Sequence, residues 1–214
     1  QWAGRAGAGT GRVLEIGCSV GGAAFELGNM FREVVGVDSQ EELIMAAEDV
    51  RRDGQRAFER KEEGGIASHL LASTDVTIDR TRCNFHVDDP CSMAARDYGT
   101  FDAVVVSDIL DRVHAPALCL NRIIDPDSPL VAVGGLVVVA TRTQWSEQRT
   151  SRSNWLGGKV GPDGTAQYTL DGIKALYEGR MELLATLDMP LLIRTDARNF
   201  QYSVVETSVW KRVA

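Results

Sequence analysis

Short runs of apolar residues recur along the chain, and most of them end at glycine or at an acidic residue. Runs of roughly four to eight apolar residues bounded by turn-forming residues are typical of buried β-strands. Seven such runs predict strands at residues 13–16, 34–37, 84–87, 101–106, 136–140, 183–187 and 203–210. Segments with apolar residues at helical spacing predict helices at residues 22–31, 41–52, 116–124 and 170–177.

This alternation of strands and helices predicts an α/β fold with a seven-stranded, mostly parallel, doubly wound sheet and helices on both faces. The 214 residues suit one domain, which we expect to cover 1–214. Residues 54–82 show no clear period, and 60–65 are typical of an exposed turn. Residues 141–168 are too long for an ordinary connection and predict an excursion at the active site. Thr169 is a plausible N-cap of the helix that follows.

Composition narrows the class of protein. The chain is 44% hydrophobic with a formal net charge of −7, so we expect no nucleic-acid partner, because binding phosphates needs a basic surface. No apolar run is long enough to span a membrane, and no signal peptide is visible, so we expect a cytoplasmic protein. The four cysteines and three histidines show no metal-ligand spacing, and we predict reduced cysteines and no metal.

The first chemical signal is a glycine-rich turn at 17–21, directly after the first predicted strand, and an acid, Asp38, after the second. This order is typical of a nucleoside-binding βαβ unit. Glycines let the backbone approach a ligand, and the acid can accept hydrogen bonds from two ribose hydroxyls. Ser19 replaces the middle glycine of the dinucleotide pattern, which favours a ligand without phosphates such as S-adenosylmethionine. Glu15 would then face the ammonium group of that cofactor.

Three other interpretations use the same turn. The first alternative is an NAD(P)-dependent oxidoreductase on a similar sheet, against which Ser19 argues. A second is a domain that binds the cofactor without turnover. The stretch Gly-x-Ser-x-Gly at 17–21 also matches the nucleophile elbow of hydrolases, but an elbow follows several strands of its sheet. The last histidine is His114, so none near the C-terminus completes a triad.

In a doubly wound sheet the turns at the carboxyl ends of the strands converge at the switch point. We therefore expect the turns after the first four strands to bind the cofactor together. Asp38 would accept hydrogen bonds from the ribose hydroxyls. Asp89, or its neighbour Asp88, would accept one from the adenine amino group. The predicted cofactor-binding residues are Glu15, Gly17, Cys18, Ser19, Gly21, Asp38, Ser39, Asp88, Asp89, Pro90 and Ser107.

Four further motifs lie at 107–113 (Ser-Asp-Ile-Leu-Asp-Arg-Val), 155–158 (Trp-Leu-Gly-Gly), 169–172 (Thr-Leu-Asp-Gly) and 193–210 (Ile-Arg…Ala-Arg-x-Phe-Gln…Val-Trp). With them the chain resembles class I S-adenosylmethionine-dependent methyltransferases. Within that class it resembles the C-terminal domain of ovothiol synthases, which N-methylates the imidazole of 5-thiohistidine. The resemblance implies a Rossmann-like methyltransferase fold with an antiparallel last strand, S-adenosylmethionine as cofactor, and a histidine-derived small molecule as partner.

Two departures from that family bear on the substrate. The family domain is usually fused behind an iron-dependent sulfoxide synthase, whereas we expect a stand-alone form here. Asp108 stands where the family is expected to have asparagine, beside the transferring methyl. The substrate is therefore expected to be a thiol such as 5-thiohistidine, a selenol in its place, or another histidine-derived azole.

Methyl transfer to a ring nitrogen requires alignment, a dry site and a free lone pair. We expect Asp108 to be catalytic, accepting the opposite ring N–H; the alternative is that it only holds the cofactor or caps a helix. Asp111 would bind the amino group of the substrate. Arg194 or Arg198, on the loop that covers the pocket, would bind the carboxylate of the substrate. The predicted substrate-binding residues are Asp111, Arg112, Trp145, Trp155, Tyr168, Arg194, Phe200, Gln201 and Tyr202.

Each of these residues also has a structural interpretation. Asp111 and Arg112 could form an ion pair with each other. The indole rings of Trp145 and Trp155 could anchor the excursion to the body of the domain. The alternation of the last strand predicts that either Phe200 or Tyr202 belongs to the core.

Overall fold

The computed structural model describes residue 4 and residues 7–214. Its strands in chain order are β1 (Arg12–Ile16), β2 (Glu33–Asp38), β3 (Gln55–Glu63), β4 (Ile66–Ser73), β5 (Cys83–Val87), β6 (Phe101–Ser107), β7 (Val131–Thr141), β8 (Lys159–Val160), β9 (Ala166–Gln167), β10 (Met181–Arg194) and β11 (Phe200–Arg212). Its helices are α1 (Gly22–Leu27), α2 (Glu41–Asp53), α3 (Ala95–Tyr98), α4 (Pro116–Ile123) and α5 (Thr169–Tyr177). Short 3₁₀ turns lie at Arg80–Arg82 and Arg152–Asn154.

The seven predicted strands form one sheet in the order β10-β11-β7-β6-β1-β2-β5. β1 pairs in parallel with β2 and β6, while β11 runs antiparallel to both of its neighbours, β10 and β7. The strand order reverses between β1 and β6, so this is the switch point of a doubly wound sheet. The predicted fold class is confirmed.

The central strands β1, β2, β6 and β7 are buried or half-buried on both faces along most of their length, which explains why they are continuous apolar runs. Leu14 and Ile16 of β1 belong to one hydrophobic cluster, and Val13 belongs to a second. Successive side chains of a strand point to opposite faces, so one strand contributes to both clusters. The central strands are thereby fixed in register, and the turns that follow them are held at one edge.

The helix predicted at residues 22–31 is shorter than expected and ends at Leu27. Gly28 ends it, with its N–H donating to the carbonyls of Ala24 and Phe25 at 3.1 Å each. The predicted N-cap, Thr169, is also wrong. It is the first helical residue, and the Asp171 carboxylate instead accepts the backbone N–H of Tyr168 at 3.3 Å.

Residues 54–82, for which the sequence shows no period, contain a β-hairpin of β3 and β4. Charged side chains lie on both faces of β3, so the alternation that normally indicates a strand is absent. Backbone pairing with β4 holds it instead. The exposed turn predicted at 60–65 is confined to the residues between the two strands.

The last two strands extend well beyond their predicted bounds and form a long hairpin with β10 at the edge of the sheet. At its tip the Ala197 N–H donates to the Lys61 carbonyl at 3.0 Å, so this hairpin contacts the β3–β4 hairpin. Among the described residues, no helix is long and apolar enough to cross a lipid bilayer.

Candidate active site

The glycine turn connects β1 to α1 at the switch point. Gly17 and Gly21 have φ angles of 85° and 83°, in the left-handed region that favours glycine. The Gly17 N–H donates to the Val37 carbonyl at 2.8 Å, which ties the turn to β2. A Cβ on Gly21 would lie 2.7 Å from the Phe85 ring. Backbone conformation and internal packing therefore require these glycines, in addition to the ligand approach expected from the sequence.

Asp38, at the end of β2, is buried and lies against the glycine turn. Its Oδ2 accepts the Ser19 N–H and its Oδ1 the Gln40 N–H, both at 3.0 Å. A carboxylate has about four lone-pair sites, so hydrogen bonds to two ribose hydroxyls are compatible with these contacts. A cavity of about 410 Å³ opens here, and its lining includes the predicted residues Gly17, Ser19, Asp38, Ser39, Pro90 and Ser107.

Glu15 is 2% exposed and does not itself line this cavity, but it contacts Ser107, which does. Its Oε1 accepts the Ser107 hydroxyl at 2.8 Å, across the switch point, but its Oε2 accepts no hydrogen bond among the described residues. Burial raises the pKa of Glu15 to about 7, although the Ser107 hydroxyl and the nearby backbone N–H of Ala24 oppose the shift. A buried carboxylate oxygen without a partner is costly, and an ammonium group would satisfy it. This arrangement fits the predicted cofactor.

The turn after β5 separates the roles of two neighbouring acids. Asp88 is half-buried and accepts the Tyr98 hydroxyl at 2.6 Å, so its side chain already has a partner within the protein. Asp89 is exposed, with Oδ1 accepting the Cys91 N–H at 3.0 Å, and the buried Pro90 beside it lines the cavity. The arrangement favours Asp89 over Asp88 as the acceptor for the adenine amino group.

Four charged residues, Asp108, Asp111, Arg112 and Arg142, form what we call the charged cluster. Asp108 follows β6 with a left-handed φ of 52°. Arg142 binds it through two parallel contacts, from Nη2 to Oδ2 at 2.7 Å and from Nε to Oδ1 at 3.1 Å. Arg112 adds a contact to Oδ2 at 3.2 Å. Asp108, Arg112 and Arg142 all line the cavity.

Asp111 lies deeper than its neighbours, with a side chain that is 1% exposed. Its Oδ2 accepts the Gln144 N–H at 2.7 Å, and burial raises the pKa of this carboxyl. Its Oδ1 accepts no hydrogen bond among the described residues and lies 3.8 Å from Nε of Arg112. Asp111 therefore sits behind Arg112 and does not line the cavity.

Sequence reasoning missed Arg142. Its side chain is only 6% exposed, yet it lies in a segment that the sequence marks as a polar excursion. The position of Arg142 in the sequence did indicate a place in the site. Arg142 directly follows β7, and the carboxyl end of β7 lies beside that of β6. Neighbouring parallel strands bring the residues that follow them together.

The two tryptophans of the excursion contact each other and the body of the domain. The rings of Trp145 and Trp155 stack with centroids 6.2 Å apart. Their indole N–H groups donate to Thr169 Oγ1 and to the Thr150 carbonyl, both at 2.8 Å. These contacts support the structural interpretation of both residues. Tyr168 is 68% exposed and, like them, is absent from the lining of the cavity.

Two of the motifs behind the family resemblance pack against each other. A Cβ on Gly157, in Trp-Leu-Gly-Gly, would overlap the backbone of Thr169. A Cβ on Gly172, in Thr-Leu-Asp-Gly, would overlap the carbonyl of Leu156. The glycines in both motifs thus allow the excursion to lie directly on α5.

The predicted substrate residues of the last hairpin lie on two different faces. The guanidinium of Arg194 stacks over the Phe200 ring at 4.9 Å. Phe200 and Tyr202 are both exposed, so the expectation that one of them belongs to the core is wrong: residues two apart share a face, and here that face is open. Gln201 pairs with Ile193, which lines the cavity, so Gln201 lies on the cavity side of the hairpin.

Three side chains next to the cavity carry atoms that metals bind. Ligand atoms of Asp89, Cys91 and His114 lie within 4.8 Å of one another, a grouping that the sequence spacing did not indicate. The Cys91 thiol donates to the Ala115 carbonyl at 3.5 Å, and burial raises its pKa.

Comparison with known proteins agrees with this geometry. Residues 3–176 match the methyltransferase domain family, and the chain belongs to that family. A comparison with curated protein sequences finds no match. As a member of the family, the protein takes S-adenosylmethionine as its cofactor, as the glycine turn predicts. The oxidoreductase alternative is not supported.

Solved structures share the fold at low sequence identity. An S-adenosylmethionine-dependent methyltransferase from Clostridium acetobutylicum has a TM-score of 0.60 and 12% identity, over 98% of this chain and 87% of that one. The N-methyltransferase NodS from Bradyrhizobium japonicum, bound to S-adenosyl-L-homocysteine, has a TM-score of 0.56 and 12% identity, over 95% of this chain and 79% of that one. A structure from work on the conversion of a disulfide bond into a thioacetal group during echinomycin biosynthesis has a TM-score of 0.59 and 14% identity, over 99% of this chain and 79% of that one.

Proposed function

We propose that this domain transfers a methyl group from S-adenosylmethionine to an imidazole ring nitrogen of a histidine-derived thiol or selenol, such as 5-thiohistidine, as in ovothiol-type biosynthesis. The partner is a small molecule. The resemblance of the motifs at 107–113, 155–158, 169–172 and 193–210 supports this choice of substrate.

The observation that carries the proposal is the charged cluster beside the cofactor cavity. A free amino acid carries an ammonium, a carboxylate and, in this case, a ring N–H. The cluster offers carboxylate oxygens on Asp108 and Asp111 and guanidinium groups on Arg112 and Arg142. Cationic and anionic partners for both ends of a zwitterion are therefore present within one site.

The residues of the chain mainly bind and orient the reactants. S-adenosylmethionine, when bound, supplies a methyl group activated on a positively charged sulfur. Asp108, fixed by Arg142, accepts the N–H of the opposite ring nitrogen, which leaves the lone pair on the target nitrogen. That lone pair forms the new C–N bond as the C–S bond breaks with its electrons on sulfur, and the proton of the opposite N–H passes to the Asp108 carboxylate and from there to solvent.

Mass spectrometry of turnover tests the proposal. We would incubate the protein with trideuteromethyl-labelled S-adenosylmethionine and, separately, with 5-thiohistidine, 5-selenohistidine and histidine. The expected result is a labelled product from the thiol or selenol and little or none from histidine. Binding of S-adenosylhomocysteine without product from any of the three would favour a domain that only binds the cofactor. Label on sulfur or selenium would contradict the proposed N-methylation.

A further inference from the structure

The two arginines of the charged cluster differ in how firmly they are held. Arg142 is 6% exposed, and both its side chain and its backbone N–H, at 3.2 Å, bind Asp108. Arg112 is 40% exposed and makes one hydrogen bond to Asp108, at 3.2 Å, with its Nε 3.8 Å from Asp111. Arg142 and Asp108 thus form a fixed ion pair, whereas Arg112 can leave it without breaking a buried structure.

We propose that Arg112 exchanges partners when the substrate binds. Its guanidinium moves away from Asp108 and Asp111 and binds the α-carboxylate of a free amino acid instead. This inference rests on the proposed function and narrows its substrate class to amino acids with an unblocked carboxylate. It also replaces Arg194 and Arg198 as the expected carboxylate partners, because neither lines the cavity and Arg194 stacks on Phe200.

The exchange keeps every charge paired. In the present structure four donors surround the Asp108 carboxylate, three from Arg142 and one from Arg112. When Arg112 turns to the carboxylate of the substrate, Oδ2 of Asp108 loses one donor, and an N–H of the substrate takes its place. A zwitterion adds no net charge, so no charge of the cluster is left buried without a partner.

Asp111 gives independent support. Its Oδ1 is buried, accepts no hydrogen bond among the described residues, and lies beside Nε of Arg112. Movement of Arg112 away from this oxygen would expose it to the α-ammonium of the same substrate. The Arg112 side chain therefore covers one carboxylate oxygen of Asp108 and one of Asp111. When Arg112 binds the carboxylate of the substrate, both oxygens become accessible.

Calorimetric binding to the protein loaded with S-adenosylhomocysteine tests this inference. The two ligands are 5-thiohistidine and its decarboxylated amine, and the variants are Arg112→Gln, Arg112→Lys and the matched control Arg149→Gln at an exposed position. Wild type and the control should prefer the amino acid by roughly 10- to 100-fold, the range of one charge-assisted hydrogen bond. Arg112→Gln should abolish that preference and bind the two ligands with equal affinity. Arg112→Lys should retain part of it.

Several results would overturn the inference. One is a preference that survives in Arg112→Gln; another is a preference lost instead in Arg194→Gln. Weaker binding of S-adenosylhomocysteine by Arg112→Gln, with an unchanged melting temperature, would assign Arg112 to the carboxylate of the cofactor. If the wild type binds both ligands equally, only the inference fails. If it binds neither, the proposed function fails with it.

Discussion

Replacing Glu15 by glutamine should stabilise the cofactor-free protein at alkaline pH and weaken its binding of the cofactor. Glu15 is 2% exposed, and burial raises its pKa from 4.5 to about 7. Between these values the unfolded chain has lost the proton that the folded protein keeps. The free energy of unfolding therefore falls as pH rises through this window, and above about 7 the whole cost of a buried charge is present.

The magnitude follows from the size of the pKa change. A rise from 4.5 to about 7 corresponds to about 3 kcal/mol over the full window, since each pKa unit is worth about 1.4 kcal/mol. Between pH 6 and pH 8 the ionisation of Glu15 lowers the free energy of unfolding by about 1 kcal/mol of this total. Glutamine has no charge to bury, so the variant should lack this component. In a domain of this size 1 kcal/mol shifts the melting temperature by about 2–4 °C.

Urea unfolding at pH 6 and pH 8 measures the effect, with the exposed Glu147→Gln as matched control. The stability of Glu15→Gln relative to wild type should rise by about 1 kcal/mol between the two pH values, while that of the control should not change. Affinity for S-adenosylhomocysteine should increase from pH 6 to pH 8 in wild type, because an ionised Glu15 binds the ammonium group, and should stay flat and weaker in the variant. Parallel pH profiles of stability for wild type and Glu15→Gln would refute the reasoning.

Three further predictions concern the cofactor pocket, the excursion and the charged cluster. Asp38→Asn should weaken S-adenosylhomocysteine binding by about 10- to 100-fold in calorimetry, since hydrogen bonds to a charged acceptor are lost; unchanged affinity would remove the ribose assignment. Gly172→Ala should lower stability in urea by about 1–3 kcal/mol, because its Cβ overlaps the Leu156 carbonyl, although alanine normally favours a helix; a more stable variant would contradict this packing. Asp108→Ala should lower kcat at least about tenfold and leave cofactor affinity unchanged, because no side-chain oxygen is left to accept the ring N–H, while the buried Arg142 loses its counter-charge; a full kcat would exclude a catalytic role for Asp108.

Much of the fold could be predicted because local pattern and tertiary environment agree in the central sheet. Each strand with two buried faces is an apolar run, and each run ends at residues that face the switch point. The β3–β4 hairpin could not be predicted in this way. Its strands are largely exposed on both faces, so nothing in their sequence forces apolar and polar residues to alternate.

The site shows the same division. Gly17, Asp38 and Ser107 lie directly after predicted strands and line the cavity. Arg142 escaped prediction because its partner, Asp108, is 34 residues away in sequence, and only the pairing of β6 with β7 brings them together. Trp145 and Trp155 were assigned to the substrate from their residue type, whereas the structure shows stacking and hydrogen bonds that hold the excursion.

The position of the transferred methyl group tests the central proposal most directly. Nuclear magnetic resonance of the product, made with ¹³C-methyl S-adenosylmethionine and 5-thiohistidine, reports it through long-range couplings from the methyl protons. A methyl on the ring nitrogen next to the side chain should couple to the two ring carbons that flank that nitrogen. Coupling to the single sulfur-bearing carbon, which marks a methyl on sulfur, would contradict the proposal.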